Sequence, residues 1–389
     1  MSLDADVIVV GAGPAGSTAA ALLAAAGVRV LVVDRATFPR DKPCGDYCNP
    51  GAVNLLRDVG ALPAVFDTGA SAISGMRVYA QDGSRFEARF PVGHGLLIPR
   101  LRLDAALLGH ASRAGAAICE GVAVDSVRSH PEAVEVRTAS GRRWRARLLI
   151  AADGMHSAIA RRLGRLILPA AGRYTVGAYF SGLVQTAPGG ELHLGPGMYG
   201  GVAHFGSGVA NVCMALPRRL WRHAGPRQTF DAALTSLPAL AEAMAGARRE
   251  SRFRCSGPVG FADRNAVADR ILLIGDAGGQ IEPMTGQGIF LALRSAHLAS
   301  GVAAEALSTD DLSYRKLFTY AQHRRREIAG RLAVSRWLQR LAFHPQMTPL
   351  LVRRLRMRPE LAGDLLGATG DVLPPGGILS PAYLARLFL

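Results

Sequence analysis

Between residues 7 and 34 the chain passes from an apolar run into a glycine-rich turn, then a small-residue segment and a second apolar run. The first run is Val7-Ile8-Val9-Val10 and the turn is Gly11-Ala12-Gly13-Pro14-Ala15-Gly16. Residues 17–26 are the small ones, and the second run, 28–33, stops at Asp34. This order of strand, Gly-x-Gly-x-x-Gly turn, helix, strand and acid is the mechanical pattern of a dinucleotide site. Gly11 permits the tight turn, Gly13 lets backbone approach a pyrophosphate, and Gly16 lets helix and strand pack closely. The helix N-terminus offers free N–H groups to phosphates, and Asp34 is placed to accept from a ribose diol. The alternative, a purely structural glycine turn, does not explain the acid at the end of the second strand.

A chain of 389 residues, 49% hydrophobic, can bury a large core and two subdomains. The glycines, Pro14, and Asp4 and Asp6 ahead of residues 7–33 argue against a signal peptide or spanning helix there. Five cysteines (Cys44, Cys48, Cys119, Cys213, Cys255) without Cys-x-x-Cys spacing argue against a disulfide framework and a metal site. They suit a reducing cytoplasm. Cys44 and Cys48 can pair, react or stay free thiols. The formal charge is +15, and residues 311–360 hold twelve Arg/Lys against three acids, a net +9. Such a segment suits an anionic membrane surface, an anionic partner or a plainly solvated helical face. Nucleic acid fits least, given the scarcity of aromatics and of any nucleic-acid motif.

The pattern predicts a loop over 35–50, a helix at 51–59 and strands around Gln81-Asp82-Gly83. It further predicts a helix at 101–114, strands at 122–128 and 133–138, and a buried strand at 147–152. A meander at 173–216, a helical stretch at 228–246 and a mostly helical remainder follow. The expected fold is mixed α/β: a Rossmann-like nucleotide domain, an inserted β-sheet substrate domain and a helical C-terminal region. The nucleotide domain would be discontinuous (1–72, 98–172, 255–300). The substrate sheet would take 73–97 and 173–254, and the basic helical region 301–389.

Further motifs sit at strand ends and helix starts. They are Ile98-Pro99-Arg100-Leu101-Arg102-Leu103-Asp104, Ala152-Asp153-Gly154, Ile274-Gly275-Asp276-Ala277-Gly278-Gly279 and Pro283-Met284-Thr285-Gly286-Gln287-Gly288-Ile289. As a set, over about residues 5–300, they resemble the FAD-dependent oxidoreductases of the para-hydroxybenzoate hydroxylase type. Lys42-Pro43-Cys44-Gly45 and the 283–289 run resemble the geranylgeranyl reductase-like branch, with Gln287 where that branch carries Glu.

The resemblance implies roles. Gly11, Gly13, Pro14, Ala15 and Gly16 would hold the FAD pyrophosphate, and Asp34, with Arg35 beside it, the adenosine ribose. Arg100 would reach the phosphate or ribityl region, unless it pairs with Asp104. Val124 would contact adenine through its backbone. Gly275 and Asp276 would hold the ribityl chain. Pro283 and the N–H groups of Gly286, Gln287 and Gly288 would face the flavin N1/O2 edge, where a helix N-terminus favours negative charge. Asp153 would support the FAD site and indirectly NAD(P)H as electron donor, or serve as a turn acid. NAD(P)H would visit transiently, since no second Gly-x-Gly-x-x-Gly domain is present.

Cys44, near the flavin in the resembling enzymes, is a candidate for proton delivery or a small loop residue. Asp46 and Tyr47 are candidate acids or bases, or loop-stabilising residues. Tyr199 keeps a position of the family's Gly-Tyr-Gly-Trp-like run, but Gly201 replaces the Trp, which counts against a polyprenyl substrate. Tyr199, His193 and His204 are candidate pocket residues, the histidines alternatively structural. The halogenase motif Trp-x-Trp-x-Ile-Pro is absent, which disfavours halogenation.

The implied activity is hydride transfer through flavin N5 to or from a carbon–carbon bond of an apolar isoprenoid- or polyketide-like molecule. The alternative is an aromatic monooxygenase acting on a phenol or quinone through a C4a-hydroperoxide. A third reading is a non-catalytic flavoprotein that uses its basic segment as a membrane scaffold.

Overall fold

A computed structural model of the chain describes residues 3–169, 172–184, 189–221 and 225–388. Residues 1, 2 and 389 of the expected domain limits lie outside them. The strand Ala5–Val10 pairs in parallel with Val30–Val33 on one side and Arg143–Ala151 on the other. Ala117–Cys119 and Ile271–Leu273 extend this parallel core outward. The strands are near-continuous Val, Ile and Leu because both faces of the sheet are covered. Val7, Ile8, Val9, Leu148, Leu149 and Ile150 are fully buried.

The helix Pro14–Ala25 carries proline at its first position and buries Ala15, Gly16, Ala19, Ala20 and Leu23. Ala296, Ala299 and Ala303 of the helix Gly288–Ser308 are equally buried. Small side chains in both helices let them pack together over the first strand.

A second sheet has the order Arg248–Arg249, Arg173–Ser181, Val209–Pro217, Met198–His204, Gly190–Gly195, Gly75–Tyr79, Arg85–Arg89. Residues 75–89 form a hairpin around Gln81-Asp82-Gly83, closed by Ala80 N–H to Ser84 O. The hairpin joins the sheet through the parallel pairing of Gly75–Tyr79 with Gly190–Gly195. A third, three-stranded sheet of Tyr47–Cys48, Gly95–Leu97 and Ser71–Ile73 brackets that hairpin in the chain.

The expected helix at 228–246 is two helices, Pro226–Leu234 and Pro238–Ala243. Pro238 has no N–H to continue the first one. Helix Gly288–Ser308 runs without a break across residue 300. The C-terminal helices Met347–Met357 and Pro359–Thr369 pack Leu351, Leu355, Leu361 and Leu365 against Phe86 and Ala88 of the hairpin. They roof the second sheet.

Candidate active site

Strand alternation decides which residues look into the molecule's main cavity. On Met198–His204, Tyr199, Gly201 and Ala203 share the face that meets Leu192 and Leu194 of the neighbouring strand. These residues line a cavity of about 380 Å³. Its far wall is Gly13, Pro14 and Ala15 of the first turn, Gly275 and Asp276, and Pro283, Gly286 and Gly288. Its floor is the loop Lys42, Pro43, Cys44, Gly45 and Tyr47, and its roof includes Leu351, Val352, Leu355, Leu365 and Leu366. The motifs read separately in the sequence therefore converge on one space.

The phosphate turn is built by close approach. Gly11 has φ +101°, and a Cβ there would sit 2.4 Å from Ala152 O. A Cβ on Gly16 would sit 1.8 Å from Gly11 O. Asp34 accepts from Ala12 N–H at 2.6 Å and Ala36 N–H at 2.8 Å, bracing the loop that follows the first strand. Arg35 is exposed. Val124 opens the strand Val124–Ser129, two residues beyond Val122, whose N–H donates to Asp34 O.

Arg100 pairs with Asp104 through Nε at 2.7 Å and Nη2 at 2.8 Å, and it also lines the cavity. Asp104 is fully buried and also meets Arg40 Nη2 at 3.1 Å. A Cβ on Gly13 would lie 3.4 Å from that same Arg40 guanidinium. One carboxylate thus holds two guanidiniums beside the turn, leaving net positive charge for a pyrophosphate. Burial, with Arg100 beside it, pushes the Lys42 ammonium down from its usual range. Arg40 was not singled out from the sequence, and Lys42 entered only as part of the Lys42-Pro43-Cys44-Gly45 run. Their cue was two cations two positions apart, just ahead of Pro43-Cys44.

Gly275 N–H donates to Ser295 Oγ of the long helix, and Gly275 has φ +55°. Asp276 lines the cavity, and its carbonyl accepts from Arg264 at 2.6 Å. Asp153 Oδ2 accepts from Ile159 N–H at 3.3 Å at the start of the helix Ala158–Arg162; its buried Oδ1 has no hydrogen-bond partner. Burial pushes this carboxyl up. Gly286 has φ +69° and packs on the Tyr47 ring, immediately before the helix Gly288–Ser308.

Three of the expected site residues, Asp46, His193 and His204, do not line the cavity. Asp46 is buried in the left-handed region at φ +55° and does not line the cavity. Its carboxylate accepts from Tyr179 Oη (2.7 Å), Asn211 Nδ2 (2.8 Å) and Arg100 N–H (3.1 Å). His204 lies on the opposite sheet face from Tyr199, 3.3 Å from Glu191, which also bonds His193 at 2.9 Å and Arg77 at 2.7 Å. The structure does not bring His193 or His204 to the cavity, because residue parity on each strand sends them away. Gln287 is buried with its side chain on Asp371 and Thr285, so only its backbone is available to a ligand. Tyr199 does line the cavity and donates to Glu282 at 3.1 Å. Cys44 lines the cavity too, and all five cysteines are free. Burial pushes the Cys44 thiol up, opposed by Arg100.

A family model described as an FAD binding domain matches residues 4–188. The menaquinone reductase of Mycobacterium tuberculosis is 33% identical over 381 residues, covering 91% of this chain and 89% of that protein. The chain belongs to the FAD-dependent oxidoreductases of the geranylgeranyl reductase-like branch. Digeranylgeranylglycerophospholipid reductase 1 of Methanothermobacter thermautotrophicus is 28% identical, covering 86% of this chain and 85% of that one. The halogenase PltM, solved with phloroglucinol and FAD, superposes with a TM-score of 0.79 at 18% identity over 98% of this chain and 90% of its own. That likeness is one of fold. This member of the branch is an FAD enzyme, and its cradle fits the cofactor: close-packed glycines and paired guanidiniums beside them.

Proposed function

We propose that this oxidoreductase reduces a carbon–carbon double bond of a long, apolar, isoprenoid-like molecule. The observation that carries the reading is the continuity of the cavity. It runs from the glycine turn and the 283–288 segment, past Cys44, to a roof of Leu351, Val352, Leu355 and Leu365. An apolar chain buried along that path gains about 0.8 kcal/mol per methylene. The names of the two reductase relatives join reduction to molecules that carry isoprenoid chains. Gly201 does not close this path: a Cβ there would have no atom nearer than 3.9 Å, so the missing Trp widens the cavity.

Reduction adds a hydride to one carbon and a proton to the other. Bound reduced FAD supplies hydride-transfer chemistry. Gly11, Gly13 and Gly16 with Arg40 and Arg100 would hold its phosphates, and Asp276 its ribityl chain. The helix start at Gly288 would face its pyrimidine edge. Cys44 stays protonated at neutral pH because it is buried, so Sγ–H can donate the second proton. Arg100 beside it would stabilise the thiolate left behind. The Tyr47 phenol, held protonated by burial, is the second donor on the same wall. NAD(P)H is the proposed electron source.

The same roof helix, Met347–Met357, turns Leu350, Arg353, Arg356 and Met357 outward. Its basic and apolar outer face supports peripheral contact with an anionic lipid surface, from which such a substrate would enter. Among the described residues no helix is long and apolar enough to cross a membrane.

Anaerobic incubation of dithionite-reduced enzyme with a polyprenyl quinone tests the activity. After air has reoxidised any quinol to quinone, a product still two hydrogens heavier supports it. Oxygen-dependent hydroxylation of a phenol, with no anaerobic turnover, overturns it in favour of the monooxygenase.

A further inference from the structure

Asp371 follows the helix Pro359–Thr369, far along the chain from every motif of the cofactor site. Its side chain is 1% exposed and its backbone is left-handed, at φ +59°. Oδ1 accepts from Gln287 Nε2 at 2.9 Å and from Arg331 Nε at 2.6 Å; Oδ2 accepts from Asn49 Nδ2 at 2.7 Å. Each donor belongs to a different segment. Gln287 ends the turn that opens the helix Gly288–Ser308, and its Oε1 accepts from Thr285 Oγ1 at 2.9 Å. Asn49 ends the loop carrying Cys44 and Tyr47, and caps the helix Pro50–Asp58 through Ala52 N–H. Arg331 belongs to the helix Tyr314–Ala342.

The backbone enforces the same junction. Gly51 N–H donates to Gly370 O at 2.8 Å, and a Cβ on Gly51 would strike Asp371 Cβ at 2.5 Å. The Tyr47 ring spans the remaining gap by packing on Gly286. A buried carboxylate with three donors, one of them a guanidinium, is satisfied as an anion. Remove its charge balance and two walls of the cavity lose their common anchor.

We propose that Asp371 is a positioning residue for the cofactor site: its carboxylate sets the spacing between the 286–288 turn and the Cys44 loop. The inference rests on the reading that this turn faces the flavin.

Three readouts test it: FAD affinity of the apoprotein, the vibronic structure of the flavin absorbance band, and Cys44 alkylation by iodoacetamide followed by peptide mass spectrometry. Gln287→Glu puts a second carboxylate against Asp371. It should weaken FAD binding at least tenfold, blur the flavin band and speed Cys44 alkylation. Adding Asp371→Asn should bring affinity back to within about threefold of the parent, since the carboxylate introduced at position 287 then supplies the anion for Arg331. Leu361→Ala, in the same C-terminal helices, should lower the melting temperature and leave all three readouts unchanged. Parent-like FAD binding and alkylation in Gln287→Glu, or a double variant no better than the single, overturns the proposal. Gly286→Val separates the two levels. If it abolishes FAD binding while Gln287→Glu is silent, Asp371 alone is wrong. If both are silent, the placement of the turn at the flavin is wrong.

Discussion

The Tyr179 hydroxyl donates to Asp46 at 2.7 Å, tying the second sheet to the loop that carries Cys44. Asn211 bridges the same two elements, donating to Asp46 at 2.8 Å and to Cys44 O at 2.7 Å. Burial raises the Asp46 carboxyl to about 6, against the lowering effect of Tyr179, the Arg100 N–H and Arg254.

That shift has a sign. Between the unfolded value of 3.8 and the folded value of about 6, the folded state binds more protons than the unfolded state. The contribution of Asp46 to stability is therefore greatest below pH 4 and falls as pH rises to 6, by on the order of 3 kcal/mol. Asp46→Asn should remove this slope, leaving stability less dependent on pH between 4 and 6 in urea titrations. An identical slope in parent and variant would refute the assignment.

Gly16→Ala and Gly13→Ala should fail differently. At Gly16 the new Cβ meets backbone at 1.8 Å, so the apoprotein should lose several kcal/mol or not fold. At Gly13 it meets only the Arg40 side chain, at 3.4 Å. That variant should fold within about 1 kcal/mol of the parent and yet bind FAD at least tenfold more weakly. Calorimetric titration of both apoproteins with FAD checks the contrast.

Gly201 should act as a width setting. Gly201→Ala has room and should be almost silent in stability and turnover. Gly201→Trp should fill the cavity beside Tyr199 and lower turnover of a long isoprenoid substrate at least tenfold, with flavin content unchanged. Steady-state kinetics on short and long substrates would show the difference; equal losses for both lengths would count against it.

Cys44→Ala should lower the rate at which substrate reoxidises the flavin by about 10²-fold or more if the thiol delivers the proton. Flavin absorbance and affinity should stay as in the parent. Stopped-flow oxidation of the reduced flavin by substrate measures this directly, and a parent-like rate assigns the proton to Tyr47 or water.

Vesicles containing anionic phospholipid should sediment the enzyme, and neutral phosphatidylcholine vesicles should not. Replacing Arg353 and Arg356 by Gln should weaken binding by about 1 kcal/mol per charge, and salt should weaken it further. Binding that ignores both charge and salt would rule out this surface.

Much of the cofactor cradle was legible because each part is local. A turn glycine, the strand before it and the acid after it lie within about thirty residues. The helix expected at 101–114 is Arg100–Arg113, and the 81–83 turn closes the hairpin as read. The wall residues were less legible. His204 and Tyr199 look equally suited in sequence, but the odd spacing between them on one strand puts them on opposite faces. Asp46 carries a catalytic side chain in a catalytic neighbourhood, yet Tyr179 and Asn211, both distant in the chain, consume it.

The sequence by itself determined the nucleotide fold and the class of cofactor, since glycines that admit no Cβ and strands buried on both faces leave few other structures. Only the tertiary structure decided which polar groups face the cavity and that the C-terminal helices roof it. It alone brought Asp371 to Gln287 and Asn49. Those outcomes depend on pairings between segments far apart in the chain, whose burial and hydrogen bonding no local pattern encodes.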